Sequence, residues 1–470
     1  MADYKIYFGG EFMETSRHLN VINPYNQQLV ATTYQAGPEE LEYAITKAER
    51  VKAELKNLAV YKRYDILMQI ASELKNNREQ LARVLCLESA KPMRYALGEI
   101  DRATQTFIVA AEECKRLPKE YLSLDWTPAG EGKEGLVKYF PIGLVAGIAP
   151  FNFPMNLAVH KIAPAIAAGC PIILKPASST PLSTLELAKI INKTTLPKGA
   201  VSVIPMDRTA GNQLVIDERF KMLSFTGSPV VGWEMKRNAG KKKVILELGG
   251  NAAVIITPTA DIEKAIAKCI VAGFSYSGQI CIHAQRFFVH ESVFKNFTAG
   301  MIAAAQKLRQ GDPLFADTDI SMMIDMENAK RVETWINDAV LSGAQLLYGG
   351  KRNGNFVEPT ILTNTNKEMD VCSKEVFGPV ITIEKYSKFP EAIEMLNDSD
   401  FGLQAGVFTV NELEINAAFN NIETGGVVIN DVPTFRVDHM PYGGIKDSGL
   451  GREGVKYAIH DMMEAKILVK

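Results

Sequence analysis

Short apolar segments recur through the middle of the chain, and each is followed by a helical pattern. Their starts are roughly 20–30 residues apart. The segments do not alternate between apolar and polar residues, which is typical of strands buried on both faces. This rhythm predicts a parallel sheet covered by helices on both sides, with ligands bound beyond the carboxyl ends of its strands. The strands predicted in this way are residues 143–149, 171–174, 200–204, 221–225 and 244–248.

A second alternation of strands and helices follows the first. Its strands are predicted at 253–256, 286–289, 345–348, 379–384, 406–409 and 427–430, with a last strand in the tail at 464–470. Helices are predicted at 38–55, 59–85, 100–114, 156–168, 182–193, 210–217, 230–239, 262–276, 292–308, 328–342 and 390–397.

The two series differ in spacing and loops, so we predict two doubly wound α/β domains. Residues 1–120 and 142–247 are expected to form a Rossmann-like domain, and residues 248–455 a second domain. Prolines, glycines and alternating residues around 117–140 indicate a hairpin that leaves the first domain. We therefore assign residues 121–141, together with 456–470, to a small β arm.

The composition excludes several classes of protein. The 470 residues carry a formal net charge of −2, with no basic excess to suggest a nucleic-acid partner. Six cysteines without a CxxC pair argue against a zinc site, so no metal is predicted, and against a disulfide framework. The uncharged stretch 139–159 is interrupted by three prolines and two asparagines, which favours a buried strand and helix over a membrane span. We expect a cytoplasmic protein with no membrane partner.

Polar residues stand where the first two predicted strands end. Asn152 follows the first strand, where its amide could stabilise a developing oxyanion or merely cap a helix. Lys175 ends the second strand and Ser178 follows it. These two suit a ribose or a phosphate, and their alternative role is ordinary capping of the next helix.

The fourth and fifth strands end in residues suited to an anion and to a base. Phe225-Thr226-Gly227-Ser228 opens a helix, with Gly232 four residues later, and free N–H groups there could bind a pyrophosphate; a plain turn is the alternative. Glu247-Leu248-Gly249-Gly250 ends an apolar strand, where burial would raise the pKa of Glu247 and make it a general base. A structural ion pair with the lysines at 241–243 is its alternative.

One cysteine stands between two isoleucines at the junction of a helix and a loop. Cys281 follows Gly278-Gln279-Ile280 and could be a nucleophile or only a buried small hydrophobe. A literal GxGxxG also occurs at 449–454. Because it follows a polar loop and not a strand, we reject it as a nucleotide-binding motif.

Taken in order along the chain, these motifs resemble those of the aldehyde dehydrogenase superfamily. The resemblance covers nearly the whole chain, and Glu375-Val376-Phe377-Gly378-Pro379 and Pro441-Tyr442-Gly443-Gly444 agree with it. It implies that Cys281 attacks the aldehyde carbon, that Asn152 and the Cys281 backbone N–H hold the oxyanion, and that Glu247 activates the water that hydrolyses the thioester.

The resemblance also implies positions for an NAD or NADP cofactor. Many NAD-selective members carry a glutamate where this chain has Ser178, so NADP is expected to be accepted, and the preference between NAD and NADP stays open. Met206-Asp207-Arg208 replaces a glycine-rich turn of many members and can alter the adenine side of the cleft. The cofactor-binding residues implied by the resemblance are Ile148, Phe151, Lys175, Ser178, Phe225, Gly227, Ser228, Gly232, Leu248, Glu375 and Phe377.

The substrate implied is a small, anionic aldehyde of the lactaldehyde, succinic semialdehyde or phosphonoacetaldehyde type. Ile280, Ile282 and His439 would line the substrate tunnel, and Arg436 would bind the anion, unless Arg436 forms a salt bridge within the protein. The alternatives are a coenzyme A-acylating enzyme, a non-phosphorylating glyceraldehyde-3-phosphate dehydrogenase and a binding protein without activity. The β arm matches the family's oligomerisation arm, which implies a homodimer or homotetramer.

Overall fold

In a computed structural model, the chain is described from residue 2 to residue 470 and forms two large sheets flanked by helices. The first sheet has a parallel centre of five strands, with antiparallel strands at both edges. In spatial order its strands are Gly449–Leu450, Lys243–Glu247, Phe220–Thr226, Leu144–Ile148, Ile172–Lys175, Val201–Val203, Ile6–Phe8 and Glu11–Met13.

The chain changes direction across the first sheet at Leu144–Ile148. The next two strands are added on one side of it, and Phe220–Thr226 then pairs on its other side. Ile148 is in register with both Lys175 and Phe225. Because ligands bind at such a switch point, the polar residues that follow these strands face one cleft. The accompanying helices are Pro38–Asn57, Val60–Asn76, Arg78–Ser89, Met93–Cys114, Pro154–Ala168, Leu182–Asn192, Arg208–Ile216 and Pro229–Asn238.

The second sheet has seven strands, of which only the edge strand Gln345–Tyr348 is antiparallel. In spatial order they are Gln345–Tyr348, Thr360–Thr363, Val380–Tyr386, Ala284–His290, Ala252–Ile256, Ala405–Phe408 and Val427–Ile429. The helices around it, with the helix near the carboxyl terminus, are Ile262–Phe274, Glu291–Ala305, Met326–Leu341, Asp370–Ser373, Phe389–Asn397, Glu412–Asn421 and Val455–Asp461.

A third sheet projects from the molecule and joins the predicted hairpin to the tail. Its strands are Lys119–Ser123, Glu134–Pro141 and Met463–Val469, so the tail strand is confirmed. Three further small sheets pair Ala2–Tyr4 and His18–Ile22 with Leu29–Tyr34, Arg352–Asn353 with Phe356–Val357, and Phe401–Gly402 with Ile445–Lys446.

The predicted strands of both series are confirmed, with ends shifted by up to two residues. The predicted helices are confirmed except at 59–85, and the largest shift of an end is seven residues, at the start of Met93–Cys114. The helix at 59–85 is broken into two at Asn77, whose side chain donates to the carbonyl of Glu73 and so ends the first. The helix at 262–276 ends at Phe274, because Tyr276 adopts a left-handed conformation. Within residues 2–470 no helix is both long and apolar enough to cross a bilayer.

Candidate active site

The loop that carries Cys281 is set by a left-handed turn after the helix. Tyr276, Ser277 and Gly278 have φ of 48°, 54° and 68° in succession. A Cβ on Gly278 would lie 2.1 Å from the carbonyl oxygen of Gly378, so only glycine fits. The turn directs the half-buried Cys281 toward the first sheet. There the buried side chains of a small apolar cluster surround it: Tyr276, Ile280, Ile282, Leu403 and Tyr442.

The Cys281 thiol contacts a polar group within this apolar cluster. Its Sγ lies 3.3 Å from the hydroxyl of Tyr442. Burial raises the pKa of the thiol to about 11, although Tyr442 and Arg436 both oppose the shift. The resting group is therefore a thiol that must be activated before it can attack an aldehyde.

Asn152 reaches across from the first sheet to the cysteine loop. Its buried side chain donates from Nδ2 to the carbonyl oxygen of Gln279 at 3.0 Å. It does not cap the following helix, since Phe153 occupies the cap position. An amide carries two hydrogens, so this bond leaves Asn152 a second hydrogen to donate at the loop that carries Cys281.

A buried ion pair, which the sequence reasoning missed, holds the backbone of Asn152. Lys91 pairs with Glu99, and its Nζ also donates to the Asn152 carbonyl oxygen at 2.6 Å. Glu99 accepts from the backbone N–H groups of Met155 and Asn156 at 3.0 and 3.1 Å. The pair therefore fixes the start of the helix on which the amide stands.

Glu247 ends its strand as a buried carboxylate without a counterion in direct contact. Both of its carboxylate oxygens lack a hydrogen-bond partner in the part of the chain that the structure describes. Burial raises its pKa well above the usual range, and the nearby Glu453 adds to the rise. The alternative of an ion pair with the lysines at 241–243 is not seen, and Lys243 pairs instead with Asp461 at 2.9 Å. A carboxyl so placed is suited to general base chemistry near neutral pH.

Arg436 takes part in a salt bridge, which the sequence left as the alternative to substrate binding. Its side chain is 6% exposed and donates from one terminal nitrogen to Glu453 at 3.2 Å. Its guanidinium carbon lies 3.7 Å from the centre of the Tyr442 ring. Within residues 2–470 its buried Nε has no partner. His439 lies exposed on the same loop.

Arg102 forms a second ion pair with the same loop, and the sequence pattern did not predict this pair either. It pairs with Asp438 at 2.7 Å, and Asp438 also accepts a bond of 2.8 Å from His160. Arg102 and His160 lie in helices with no recognisable motif. The sequence pattern gave no sign that they meet the loop at 435–439.

A cleft of about 680 Å³ lies at the carboxyl ends of the first sheet's strands. It is within the range of small-molecule and cofactor sites. Four of the predicted cofactor residues line it: Ile148, Lys175, Ser178 and Phe225. The structure adds Arg208, whose side chain is exposed at the start of its helix. Sequence reasoning had noted only that this turn is unusual.

Glycines and a helix start shape the pyrophosphate side of the same region. A Cβ on Gly227 would lie 2.5 Å from the Phe225 ring, and one on Gly232 would lie 2.4 Å from Leu248. Neither position has room for a side chain, because Phe225 and Leu248 pack closely against the two glycines. Ser228 is the residue immediately before the helix Pro229–Asn238, where free N–H groups can meet an anion.

Residues of the second sheet close the other end of the cofactor region. Glu375 accepts a bond of 3.0 Å from the backbone N–H of Gly250, and burial raises its pKa to about 7. A Cβ on Gly249 would lie 2.2 Å from this carboxylate. Phe377 meets the edge of Phe151 with ring centres 5.8 Å apart. The predicted residues from both sheets are thus brought together.

The doubly wound fold, with a cleft of this size at its strand ends, defines a protein that binds a nucleotide-sized ligand at the switch point of the sheet. The model of the aldehyde dehydrogenase family matches residues 12–468, and the chain belongs to that family. The resemblance inferred from the motifs is confirmed. The fold class and the NAD(P)-dependent enzyme class are confirmed with it.

Three relatives show how closely the whole chain is matched. It is 42% identical to 3-sulfolactaldehyde dehydrogenase of Priestia aryabhattai, covering 100% of this chain and 98% of that one. Aldehyde dehydrogenase 21 of Physcomitrella patens, solved with the reaction product succinate, has a TM-score of 0.98 at 44% identity, covering 100% and 98%. Glyceraldehyde-3-phosphate dehydrogenase of Methanocaldococcus jannaschii, solved with NADP, has a TM-score of 0.93 at 38% identity, covering 97% and 100%.

Proposed function

We propose that the protein oxidises a small anionic aldehyde to its carboxylic acid, with Cys281 as the nucleophile. Once the Cys281 thiol has lost its proton to water, its sulfur bonds to the aldehyde carbon. The electron pair of the carbonyl double bond moves to the oxygen, which becomes an oxyanion that the Asn152 amide and the Cys281 backbone N–H can hold. Such a donor contributes roughly 3–4 kcal/mol in well-studied cases. When bound, NAD(P) supplies the acceptor for the hydride that leaves the same carbon, and Cys281 is left as a thioester.

Glu247 completes the proposed reaction by hydrolysis. Its ionised carboxylate takes a proton from water as the water oxygen bonds to the thioester carbon, and the Cys281 sulfur leaves with the acid released. The observation that carries the proposal is the bond of 3.0 Å from Asn152 to Gln279, because it brings the amide of one sheet to the cysteine loop of the other. Replacing Cys281 and Glu247 tests it, as argued in the Discussion.

The anionic substrate is supported by two arginines, one in the loop at 435–439 and one paired with it, each of which keeps an unused donor within the described chain. Arg436 stacks on Tyr442, which contacts Cys281, and Arg102 is tied to the same loop. Each of these arginines has a buried Nε without a partner among the described residues. The names of the relatives agree, because 3-sulfolactaldehyde carries a sulfonate and succinate is a dicarboxylate.

Replacing Arg436 by Gln is expected to weaken anionic aldehydes selectively. A charge-assisted bond of roughly 1.5–3 kcal/mol predicts a KM for succinic semialdehyde or glyceraldehyde 3-phosphate raised about 10- to 100-fold. The KM for butanal, which is neutral and of similar length, should change by less than about threefold, whereas a loss of thiol activation lowers kcat for both substrates alike. The two substrates are compared on the same variant, so a general loss of folding cancels. Equal rises in KM for both would contradict the role of Arg436, and activity on none of a panel of small aldehydes would contradict the substrate class.

We also propose that NADP is the better cofactor. Ser178 brings no negative charge to the cleft. The basic residues Lys175 and Arg208 line the same cleft. Burial lowers the pKa of Lys175, and a bound phosphate would oppose that shift by stabilising the ammonium form. We expect kcat/KM for NADP to exceed that for NAD, and Ser178→Glu to reverse the order by repelling a 2′-phosphate. A wild-type kcat/KM that is higher for NAD than for NADP would contradict this proposal.

We further propose a homodimer or homotetramer in the cytoplasm. The strand Met463–Val469 forms an edge of the projecting sheet with Ile467, Leu468 and Val469 exposed, and natural proteins seldom leave such an edge bare. None of the six cysteines in the described chain forms a disulfide, which suits a reducing compartment. Light scattering at micromolar concentration measures the assembly, and a monomeric mass would contradict it.

A further inference from the structure

Tyr442 touches the sulfur that the proposed reaction uses. Its hydroxyl lies 3.3 Å from the Cys281 Sγ, and the residue is 3% exposed. Packing alone does not require this hydroxyl, because phenylalanine would fill nearly the same volume. The contact therefore raises the question of what the hydroxyl does for the thiol.

Two linked contacts hold the phenol of Tyr442 in place. The backbones of Tyr442 and Glu453 exchange two hydrogen bonds in an antiparallel bridge. The Glu453 carboxylate accepts from Arg436 at 3.2 Å and from Lys161 at 3.2 Å. Arg436 in turn covers the ring face at 3.7 Å. The backbone bridge to Glu453 therefore fixes the position of the Tyr442 ring. The carboxylate of the same Glu453 holds Arg436, which covers the ring.

We propose that the Tyr442 hydroxyl donates a hydrogen bond to the Cys281 thiolate and that Arg436, stacked on the ring, strengthens this donor. The inference rests on the proposed function, in which Cys281 is the nucleophile. In the neutral pair either group can donate, but once the sulfur is ionised only the hydroxyl has a hydrogen to give. A hydrogen bond to the charged form favours that form. Tyr442 is then a catalytic residue, since it touches the reacting atom.

The other charged groups near the thiol act in both directions. Glu375 and Glu247 raise the pKa of the Cys281 thiol, as burial does, whereas Arg436 lowers it. Burial raises the pKa of Tyr442 well above its usual value, and Cys281 and Glu247 add to the rise although Arg436 opposes it, so the phenol stays protonated and remains a donor. Among these groups the Tyr442 hydroxyl is thus the hydrogen-bond donor to the sulfur. Its bond lowers the pKa of the Cys281 thiol and so opposes the effect of burial.

The test is the pH dependence of alkylation of Cys281 by iodoacetamide in the full-length protein, followed on the Cys281 peptide by mass spectrometry. For Tyr442→Phe we expect the apparent pKa to rise by about one unit, with an alkylation rate about tenfold lower at pH 7 and an unchanged plateau at high pH. A tyrosine that only lined the substrate tunnel would alter KM and leave this profile alone. An unchanged profile overturns the proposal.

A matched control and a second variant keep the test decisive. Tyr386→Phe removes another buried hydroxyl, one that donates to the Ile256 carbonyl at 3.2 Å in the second sheet, and it should leave the profile unchanged. Replacing Tyr442 by 3-fluorotyrosine keeps its shape and gives a more acidic hydroxyl, so the profile should shift to lower pH. A shift in the other direction overturns the proposal even if the phenylalanine variant does not fold.

The outcome for Tyr442 is separable from the proposed function. If Cys281→Ala abolishes aldehyde oxidation while Tyr442→Phe leaves the alkylation profile unchanged, only the role of the tyrosine fails. If Cys281→Ala remains active, the nucleophile itself is wrong and both proposals fail together.

Discussion

Cys281→Ala is expected to lower kcat for aldehyde oxidation by at least on the order of a thousandfold, because removing the nucleophile removes the covalent path altogether. Alanine is only slightly smaller than cysteine, so the replacement at this half-buried position should leave the fold intact. Cofactor binding should persist, because the cleft lies at the strand ends of the first sheet. The measurement is the appearance of reduced cofactor by absorbance at saturating aldehyde. Cofactor affinity and the unfolding temperature are measured on the same sample.

Cys372→Ala is the matched control for this variant. Cys372 is the other half-buried cysteine, and its side chain lies away from the cluster around Cys281. We expect its kcat to stay within about threefold of wild type, as is usual for a substitution remote from the site. Retention of more than a tenth of the activity in Cys281→Ala would show that another group forms the bond to the aldehyde.

The residues that the sequence predicted share one property, which is their position at the end of a strand or in the loop between a helix and a strand. Asn152, Lys175 and Glu247 each follow or end an apolar run, and parallel strands bring their carboxyl ends to one edge. Periodicity alone therefore places such residues in a common cleft. It does not state which of them meets Cys281.

The residues that the sequence missed act through pairs that are far apart in the chain. Lys91 supports Asn152 from 61 residues away, and Arg102 meets Asp438 across 336 residues. In a linear pattern Arg102 is one more charged residue on an amphipathic helix, and Lys91 is one more in the short connection between two helices. Their roles depend on burial and on a partner, and neither is visible until the helices are packed. The left-handed turn at Tyr276 was missed for a related reason, because a non-glycine residue gives no local signal of a positive φ.

The burial of ionisable groups gives the site a shared physical logic. Glu247, Glu453, Arg436 and Lys161 are all removed from water in one small region. Glu453 is matched by two cations, whereas Glu247 is left without a direct partner. Pairing makes the first a structural anion, and the absence of pairing leaves the second able to take a proton. The two carboxylates therefore have opposite roles although they lie close enough to affect each other's pKa.

Glu247→Gln is expected to stop the reaction after the first half. The amide has nearly the same shape but cannot act as a base, so acylation of Cys281 should proceed and hydrolysis should not. We expect a burst of reduced cofactor of up to one equivalent per subunit, followed by a steady-state rate roughly 100- to 1,000-fold below wild type. Rapid mixing measures the burst, and intact mass spectrometry should detect the acylated protein. Steady-state turnover equal to that of wild type would contradict the role of Glu247.

Two controls identify the step that Glu247→Gln blocks. Hydroxylamine attacks a thioester directly and releases a hydroxamate, so it should restore turnover to the variant without a base. Coenzyme A added to the wild type tests the acylating alternative, in which acyl-coenzyme A would replace the free acid. In the wild type, burial raises the pKa of Glu247 well above its usual range. Since only the ionised carboxylate accepts a proton, deacylation should accelerate as pH rises through neutrality, and this dependence should be absent from the variant.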